Sequence, residues 1–112
     1  MTEPSPHRFG EVVARLAQVI EGRRGADPTA SWSARLIADP SLAAKKLAEE
    51  AVETALAAAT GDKTAVIAES ADMIYHWLAL LAAVGVGLDD VAAALAAREG
   101  RSGLAEKAAR EH

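Results

Sequence analysis

The sequence contains no cysteine, which excludes disulfide bonds, thiolate zinc sites and cysteine nucleophiles. Only 4% of its residues are aromatic, so a hydrophobic core must be built from Ala, Leu, Val and Ile. Basic residues are outnumbered by acidic ones, and the formal net charge is −4. This balance argues against nucleic-acid partners, because non-specific binding to nucleic acid needs a basic face.

Export and membrane signals are also missing from the sequence. The amino-terminal stretch MTEPSPHRFG lacks the basic and then apolar pattern of a signal peptide. The longest uncharged run, Met73 to Leu88, is interrupted by polar residues and glycines, and it is shorter than the roughly 20 apolar residues of a membrane span. We therefore expect a cytoplasmic protein with no membrane partner.

Apolar residues recur at helical spacing along the chain, and no β-branched run alternates with period two. Alanine-rich faces suit close helix packing better than a pleated sheet, in which Ala is depleted. We predict one all-α domain over residues 1–112, with a loose leader at 1–7 and a polar, at most partly ordered tail at 99–112. The predicted helices are Phe9 to Gly22, Ser31 to Asp39, Leu42 to Thr60, Lys63 to Val84 and Leu88 to Arg98.

Residues near the helix ends support these boundaries. Ser31 is a candidate N-cap for the second helix. Asp89 and Asp90 fall in the first turn of the fifth helix, where the helix dipole favours acids. The connection at Gly61 and Asp62 is short, so the third and fourth helices are predicted to form a central antiparallel hairpin within a helical bundle.

Acidic residues cluster on both arms of this hairpin. On the third helix, Glu49, Glu50 and Glu53 lie within five residues and share one arc. On the fourth helix, Glu69 and Asp72 share an arc of an otherwise apolar helix. Glu53 and Glu69 each lie about eight residues from the turn, so the carboxylates are expected to face one another. Buried carboxylates are paired, protonated or bound to metal, and hard oxygen ligands suit Mg²⁺ or Mn²⁺.

The same residues also have explanations that need no metal. Glu49 can pair with Lys45 or Lys46 on a solvated helix face, at a gain of a few tenths of a kcal/mol. His76 shares the arc of the fourth-helix acids, but it can equally be a core histidine with satisfied hydrogen bonds. Spacing alone leaves a metal site and a solvated acidic face as open alternatives.

Two motifs resemble a known family. KKLAEEAVE, followed sixteen residues later by ESADMIYH, is similar to the phosphoribosyl-ATP pyrophosphohydrolase family of histidine biosynthesis. Its wider group, the all-α nucleotide pyrophosphohydrolases, carries Glu-Glu-x-x-Glu followed by Glu-x-x-Asp. The Lys-Lys and Tyr-His pairs, the stretch ADPTASWSARLI and the closing RSGLAEKA indicate the histidine-pathway branch. The resemblance covers residues 28 to 110, and departs from the family pattern at Ser33 (often threonine) and Ala48 (often glycine).

The resemblance implies Mg²⁺-dependent hydrolysis of phosphoribosyl-ATP to phosphoribosyl-AMP and pyrophosphate, the second step of histidine biosynthesis. Cleavage between the α- and β-phosphates requires neutralised charge and an aligned water, and metal ions provide both. The implied metal ligands are Glu50, Glu53, Glu69 and Asp72. Glu49 and Glu50 are the implied catalytic residues, with Glu49 either a further ligand or the acceptor of the water's proton. The implied phosphate contacts are Lys45, Lys46 and Arg98. Ser31 and Trp32 are weaker candidates for substrate contacts, and Trp32 can equally be a core residue.

The family's fold pairs as a homodimer, and the composition gives an independent reason to expect pairing. Two long helices rich in Ala and Leu, one of them apolar nearly all round, bury poorly in a chain of 112 residues.

Two alternative functions remain open. A housekeeping pyrophosphohydrolase acting on non-standard NTPs or dUTP shares the acidic motif. Its chemistry does not require the Lys-Lys and SGLAEKA features. A non-catalytic helical dimerisation module would leave the acids solvated, its stability would not depend on metal, and it would tolerate Glu69→Gln and Asp72→Asn.

Overall fold

The computed structural model describes residues 6–100 together with residues 103, 107 and 110. Residues 6–100 form five α-helices and no strand, which confirms the predicted all-α class. Every predicted helix end agrees with the observed end to within two residues. The helices are α1 (Arg8–Glu21), α2 (Trp32–Ala38), α3 (Pro40–Ala59), α4 (Lys63–Val84) and α5 (Leu88–Ala96).

The two ends of the chain are described only in part. Residues 6 and 7 of the predicted leader form a turn, and residues 1–5 lie outside the described residues. In the predicted polar tail, residues 103, 107 and 110 are helical. The rest of the tail beyond residue 100, including most of RSGLAEKA, also lies outside the described residues.

Side-chain caps fix the starts of three helices. The Ser31 hydroxyl accepts a hydrogen bond from the backbone N–H of Ala34, which confirms the predicted N-cap of α2. Asp39 and Asp62 cap α3 and α4 in the same way. Pro40 occupies the first turn of α3, where its missing N–H needs no partner. The helix therefore begins two residues earlier than its apolar pattern indicates.

Helices α3 and α4 form the predicted hairpin. Gly61 lies in their short connection with φ of +77°, a left-handed conformation that favours glycine. Of all the helix pairs in the described residues, α3 and α4 make the most extensive contact. Side chains at equal distances from the turn are thereby brought opposite one another. Acidic residues of α3 therefore face those of α4.

Helix α4 is the centre of the bundle, because α1, α2 and α3 all pack against it. The core lies where α2 and the carboxyl-terminal half of α4 meet, towards the open end of the hairpin. The buried hydrophobic residues that form it are Ile20, Leu36, Ile37, Ala43, Leu78 and Ala79. The acidic residues lie between this core and the turn.

By length and composition alone, α4 could cross a membrane, with a mean hydropathy of 1.2 in an 18-residue window. The core helix of a soluble protein passes the same test. Here α4 contacts three other helices, Glu69 and Asp72 interrupt its apolar sequence, and 17% of the window is buried.

Candidate metal centre

Three acidic side chains converge across the α3–α4 interface. Glu50 on α3 and Glu69 and Asp72 on α4 each place one carboxylate oxygen within 4.8 Å of the other two. Glu50 and Glu69 are half-buried and Asp72 is exposed. The structure therefore brings together three of the four predicted metal ligands, with one open side towards solvent.

Glu53, the fourth predicted ligand, lies beside this group. A hydrogen bond with Glu53 is the main reason that the pKa of Glu69 is raised above its ordinary value. Partial loss of hydration and the charges of Glu53, Asp72 and Glu50 raise the pKa further. Two carboxyl groups can share a hydrogen bond only when one holds a proton. The four acids thus repel one another, a situation that a bound cation relieves.

The Glu50 carboxylate is largely enclosed, with 13% of its side chain exposed. Its Oε1 atom lies 2.5 Å from Nδ1 of His76, but the contact is not directed as a hydrogen bond. No other donor among the described residues reaches this buried oxygen. A buried carboxylate oxygen without a hydrogen bond is unfavourable unless a cation compensates its charge.

His76 joins the acids from the next turn of α4, and 8% of its surface is exposed. Its Nε2 atom accepts a hydrogen bond of 3.0 Å from the indole N–H of Trp32. Because an indole N–H can only donate, the imidazole hydrogen lies on Nδ1, which is 3.0 Å from the Asp72 carbonyl oxygen. His76 is therefore both a core histidine with satisfied hydrogen bonds and a neighbour of Glu50.

A second polar contact joins α2 to α4. The hydroxyl groups of Ser33 and Tyr75 share a hydrogen bond of 2.5 Å. The Tyr75 ring also meets the His76 ring edge-on, with centroids 5.0 Å apart. Sequence reasoning missed both the Ser33–Tyr75 and the Trp32–His76 contacts. Spacing within a helix indicates which residues share a face, but it does not fix how α2 docks on α4.

The other predicted residues on α3 lie on its solvated side. Lys46 and Glu49 form an ion pair of 3.6 Å, with 37% and 44% of their side chains exposed. Such exposed pairs contribute little to stability. Lys45 is exposed as well. Glu49 stands outside the group of three carboxylates, and its catalytic role stays a prediction.

The remaining predicted substrate contacts lie on other elements. The Ser31 hydroxyl is engaged in capping α2. The Trp32 side chain donates to His76 and is still 40% exposed, so it is not a core residue. Arg98 lies in the turn after α5 and is exposed, outside the carboxylate group. Substrate binding by these residues also stays a prediction.

The donor set indicates the class of ion that the site suits. The converging groups are carboxylates, which are hard oxygen ligands. Hard oxygens favour Mg²⁺, Mn²⁺ or Ca²⁺ over the softer metals that bind thiolate or imidazole. The unpartnered Glu50 oxygen and the mutual repulsion around Glu69 both fit a divalent cation at this position.

Comparison with known proteins points to a single family. Residues 13–99 match the model of the family described as phosphoribosyl-ATP pyrophosphohydrolase. A phosphoribosyl-ATP pyrophosphatase of Caulobacter vibrioides is 60% identical over 103 residues, covering 92% of this chain and 96% of the relative. The protein of that name from Caulobacter sp. strain K31 is 63% identical, covering 89% and 94%. The one from Paracoccus denitrificans is 50% identical, covering 95% and 97%. The chain belongs to the phosphoribosyl-ATP pyrophosphohydrolase family.

Proposed function

We propose that this chain hydrolyses phosphoribosyl-ATP to phosphoribosyl-AMP and pyrophosphate in histidine biosynthesis, a cytoplasmic step. The observation that carries the proposal is the convergence of three carboxylate oxygens within 4.8 Å, in a chain of this family. An acidic cluster would repel a polyphosphate on its own. With a divalent cation between them, the same cluster binds the phosphates.

Glu50, Glu69 and Asp72 would hold the cation, with Glu53 as the fourth ligand. Mg²⁺ is the proposed occupant, and Mn²⁺ can replace it because both prefer oxygen ligands. When bound, the ion neutralises phosphate charge and lowers the pKa of an attached water. The open side at Asp72 leaves room for the substrate phosphates.

Residues around the cluster would complete the reaction. Glu49 lies next to Glu50 in sequence and is exposed, so it can accept the proton of the attacking water or serve as a further ligand. Lys46 lies one helical turn before Glu50, and with Lys45 it offers positive charge to the phosphates. The partly exposed Trp32 ring offers a surface for the nucleotide, and Ser31 and Arg98 are weaker candidates for substrate contacts.

The working form is proposed to be a homodimer. Three apolar residues on the turn side of the hairpin are largely exposed: Val52 (58%), Leu56 (61%) and Ile67 (72%). We refer to them as the turn-end apolar residues. Exposed apolar surface of this kind marks interaction sites. The Cα radius of gyration is 16.2 Å, whereas a compact single chain of this length has about 13 Å. Both observations support a second copy packed against the hairpin.

Substrate choice provides the test of this function. The purified protein is expected to release pyrophosphate from phosphoribosyl-ATP with Mg²⁺, and to prefer it over dATP and dUTP by at least about 100-fold in kcat/KM. A coupled assay that separates pyrophosphate from inorganic phosphate measures the release. Faster release from dATP or dUTP would instead assign the chain to the housekeeping pyrophosphohydrolases.

A further inference from the structure

We propose that Trp32 and His76 are positioning residues for Glu50: the indole holds the imidazole, and the imidazole holds the Glu50 carboxylate towards the cation site. This inference rests on the metal centre proposed above. It goes beyond the acidic motif, because it assigns the short helix α2 a part in metal binding although α2 contributes none of the four acidic ligands.

The first link is the contact between α2 and α4. The Trp32 indole N–H donates to Nε2 of His76 over 3.0 Å. This contact commits Nε2 as an acceptor and leaves the hydrogen on Nδ1. The Asp72 carbonyl can only accept and favours the same tautomer, so the Trp32 contact adds a second constraint, which holds the ring in its orientation beside Glu50.

The second link joins the imidazole to the metal ligand. Nδ1 of His76 lies 3.0 Å from the Asp72 carbonyl oxygen and 2.5 Å from Oε1 of Glu50. The N–H donates to the backbone carbonyl of one ligand, and the Nδ1 atom also lies against the carboxylate of another without a directed hydrogen bond. The Nδ1 edge of one imidazole therefore contacts both α4 and α3 beside the acidic cluster.

Enclosure makes these contacts matter. The His76 and Glu50 side chains are 10% and 13% exposed, so water has little access to replace a lost contact. The rings of Trp32 and Tyr75 meet the imidazole edge-on, with centroids at 6.1 Å and 5.0 Å, and fix its plane. The imidazole is thus held against the Glu50 carboxylate before any ion binds.

A pre-oriented ligand binds an ion more tightly, because less side-chain freedom is lost on binding. Groups that orient metal ligands typically contribute 10–100-fold to metal affinity or activity. A purely structural role for the same contacts would lower the stability of the fold and leave the affinity of the folded protein for metal unchanged. The two roles therefore differ in a measurable quantity.

The test measures Mn²⁺ affinity by calorimetry, without nucleotide, on the full chain. His76→Leu removes both polar contacts and is expected to weaken Mn²⁺ binding by about 10–100-fold. Trp32→Phe keeps an aromatic ring but loses the N–H donor. We expect it to weaken Mn²⁺ binding by about 2- to 10-fold, which corresponds to the loss of one hydrogen bond. His76→Asn retains an N–H donor near the position of Nδ1, so we expect it to recover part of the affinity.

Trp77→Phe is the matched control. It makes the same Trp-to-Phe change as the Trp32 variant, but at the residue after His76 on α4, which packs on the core. Its Mn²⁺ affinity should equal that of the unaltered protein. Steady-state assays should show the same order of variants in the Mg²⁺ concentration that gives half-maximal rate. If His76→Leu does not fold, Trp32→Phe and His76→Asn carry the test.

The outcomes separate this inference from the proposed function. Unchanged Mn²⁺ affinity in the folded variants, with only a lower melting temperature, would overturn the positioning role and leave the metal centre intact. No Mn²⁺ binding by the unaltered protein would overturn the metal centre itself, and this inference with it.

Discussion

Replacing Glu69 by Gln is expected to reduce pyrophosphate release by about 100-fold or more while raising the melting temperature of the metal-free protein. Activity falls because a ligand is lost, and even groups one step removed from a metal typically contribute 10–100-fold. Stability rises because the amide carries no charge beside Glu53, Asp72 and Glu50, the three acids that raise the pKa of Glu69. Steady-state kinetics and thermal unfolding in a chelator measure the two effects.

Asp72→Asn should behave in the same way, because Asp72 belongs to the same group of carboxylates. Glu11→Gln is the matched control, since Glu11 is an exposed acid in the first turn of α1. It should keep full activity and show no rise in melting temperature. If both cluster variants keep full activity, the acids do not hold a cation that the reaction needs, and they form a solvated face instead.

The second large effect is expected at the turn-end apolar residues. Leu56→Glu should convert the proposed homodimer into monomers, because a charge would be buried in the interface on each copy. An unpaired charge removed from water costs several kcal/mol. About 3 kcal/mol already raises the dimer dissociation constant roughly 100-fold. Sedimentation or light scattering at several protein concentrations measures the change in mass.

Leu56→Met is the control, because it keeps an apolar side chain of similar volume and should leave the dimer intact. Activity measured on the same samples then reports whether the site depends on pairing. A monomeric mass for the unaltered protein at assay concentrations, or a Leu56→Glu variant that stays dimeric, would contradict an interface at this end of the hairpin.

Much of the fold is readable from local patterns in the sequence. The boundaries of α4 follow from the turn residues on either side of a long apolar stretch, and the structure places them at Lys63 and Val84 as predicted. The predicted start of α3 is two residues late, because Asp39 and Pro40 begin the helix before its apolar pattern becomes visible. Local chemistry at a cap thus outweighs periodicity at that end.

The site is predictable where it depends on the hairpin alone. Glu50, Glu69 and Asp72 meet because a short turn brings equal distances on two helices into register. Adjacent helical residues point about 100° apart, so Glu49 turns outwards to Lys46 when Glu50 faces α4. The sequence places both on one acidic arc, but only the packing decides which of them faces inwards.

Contacts that involve α2 lie beyond this kind of reasoning. The Trp32–His76 hydrogen bond joins residues 44 positions apart, and the Ser33–Tyr75 bond joins residues 42 apart. Their geometry depends on how a seven-residue helix docks against α4. No spacing rule within either helix contains that information, so His76 could be placed on the acidic arc but not connected to Trp32.

The most direct test of the metal centre is pyrophosphate release from phosphoribosyl-ATP by protein stripped of metal, before and after Mg²⁺ is added back. Mg²⁺ held by Glu50, Glu53, Glu69 and Asp72 predicts no release from the stripped protein and full recovery on addition. It also predicts that Mg²⁺ does not restore release in Glu69→Gln. Undiminished release from the stripped protein would contradict the proposal that these carboxylates hold a cation needed for the reaction.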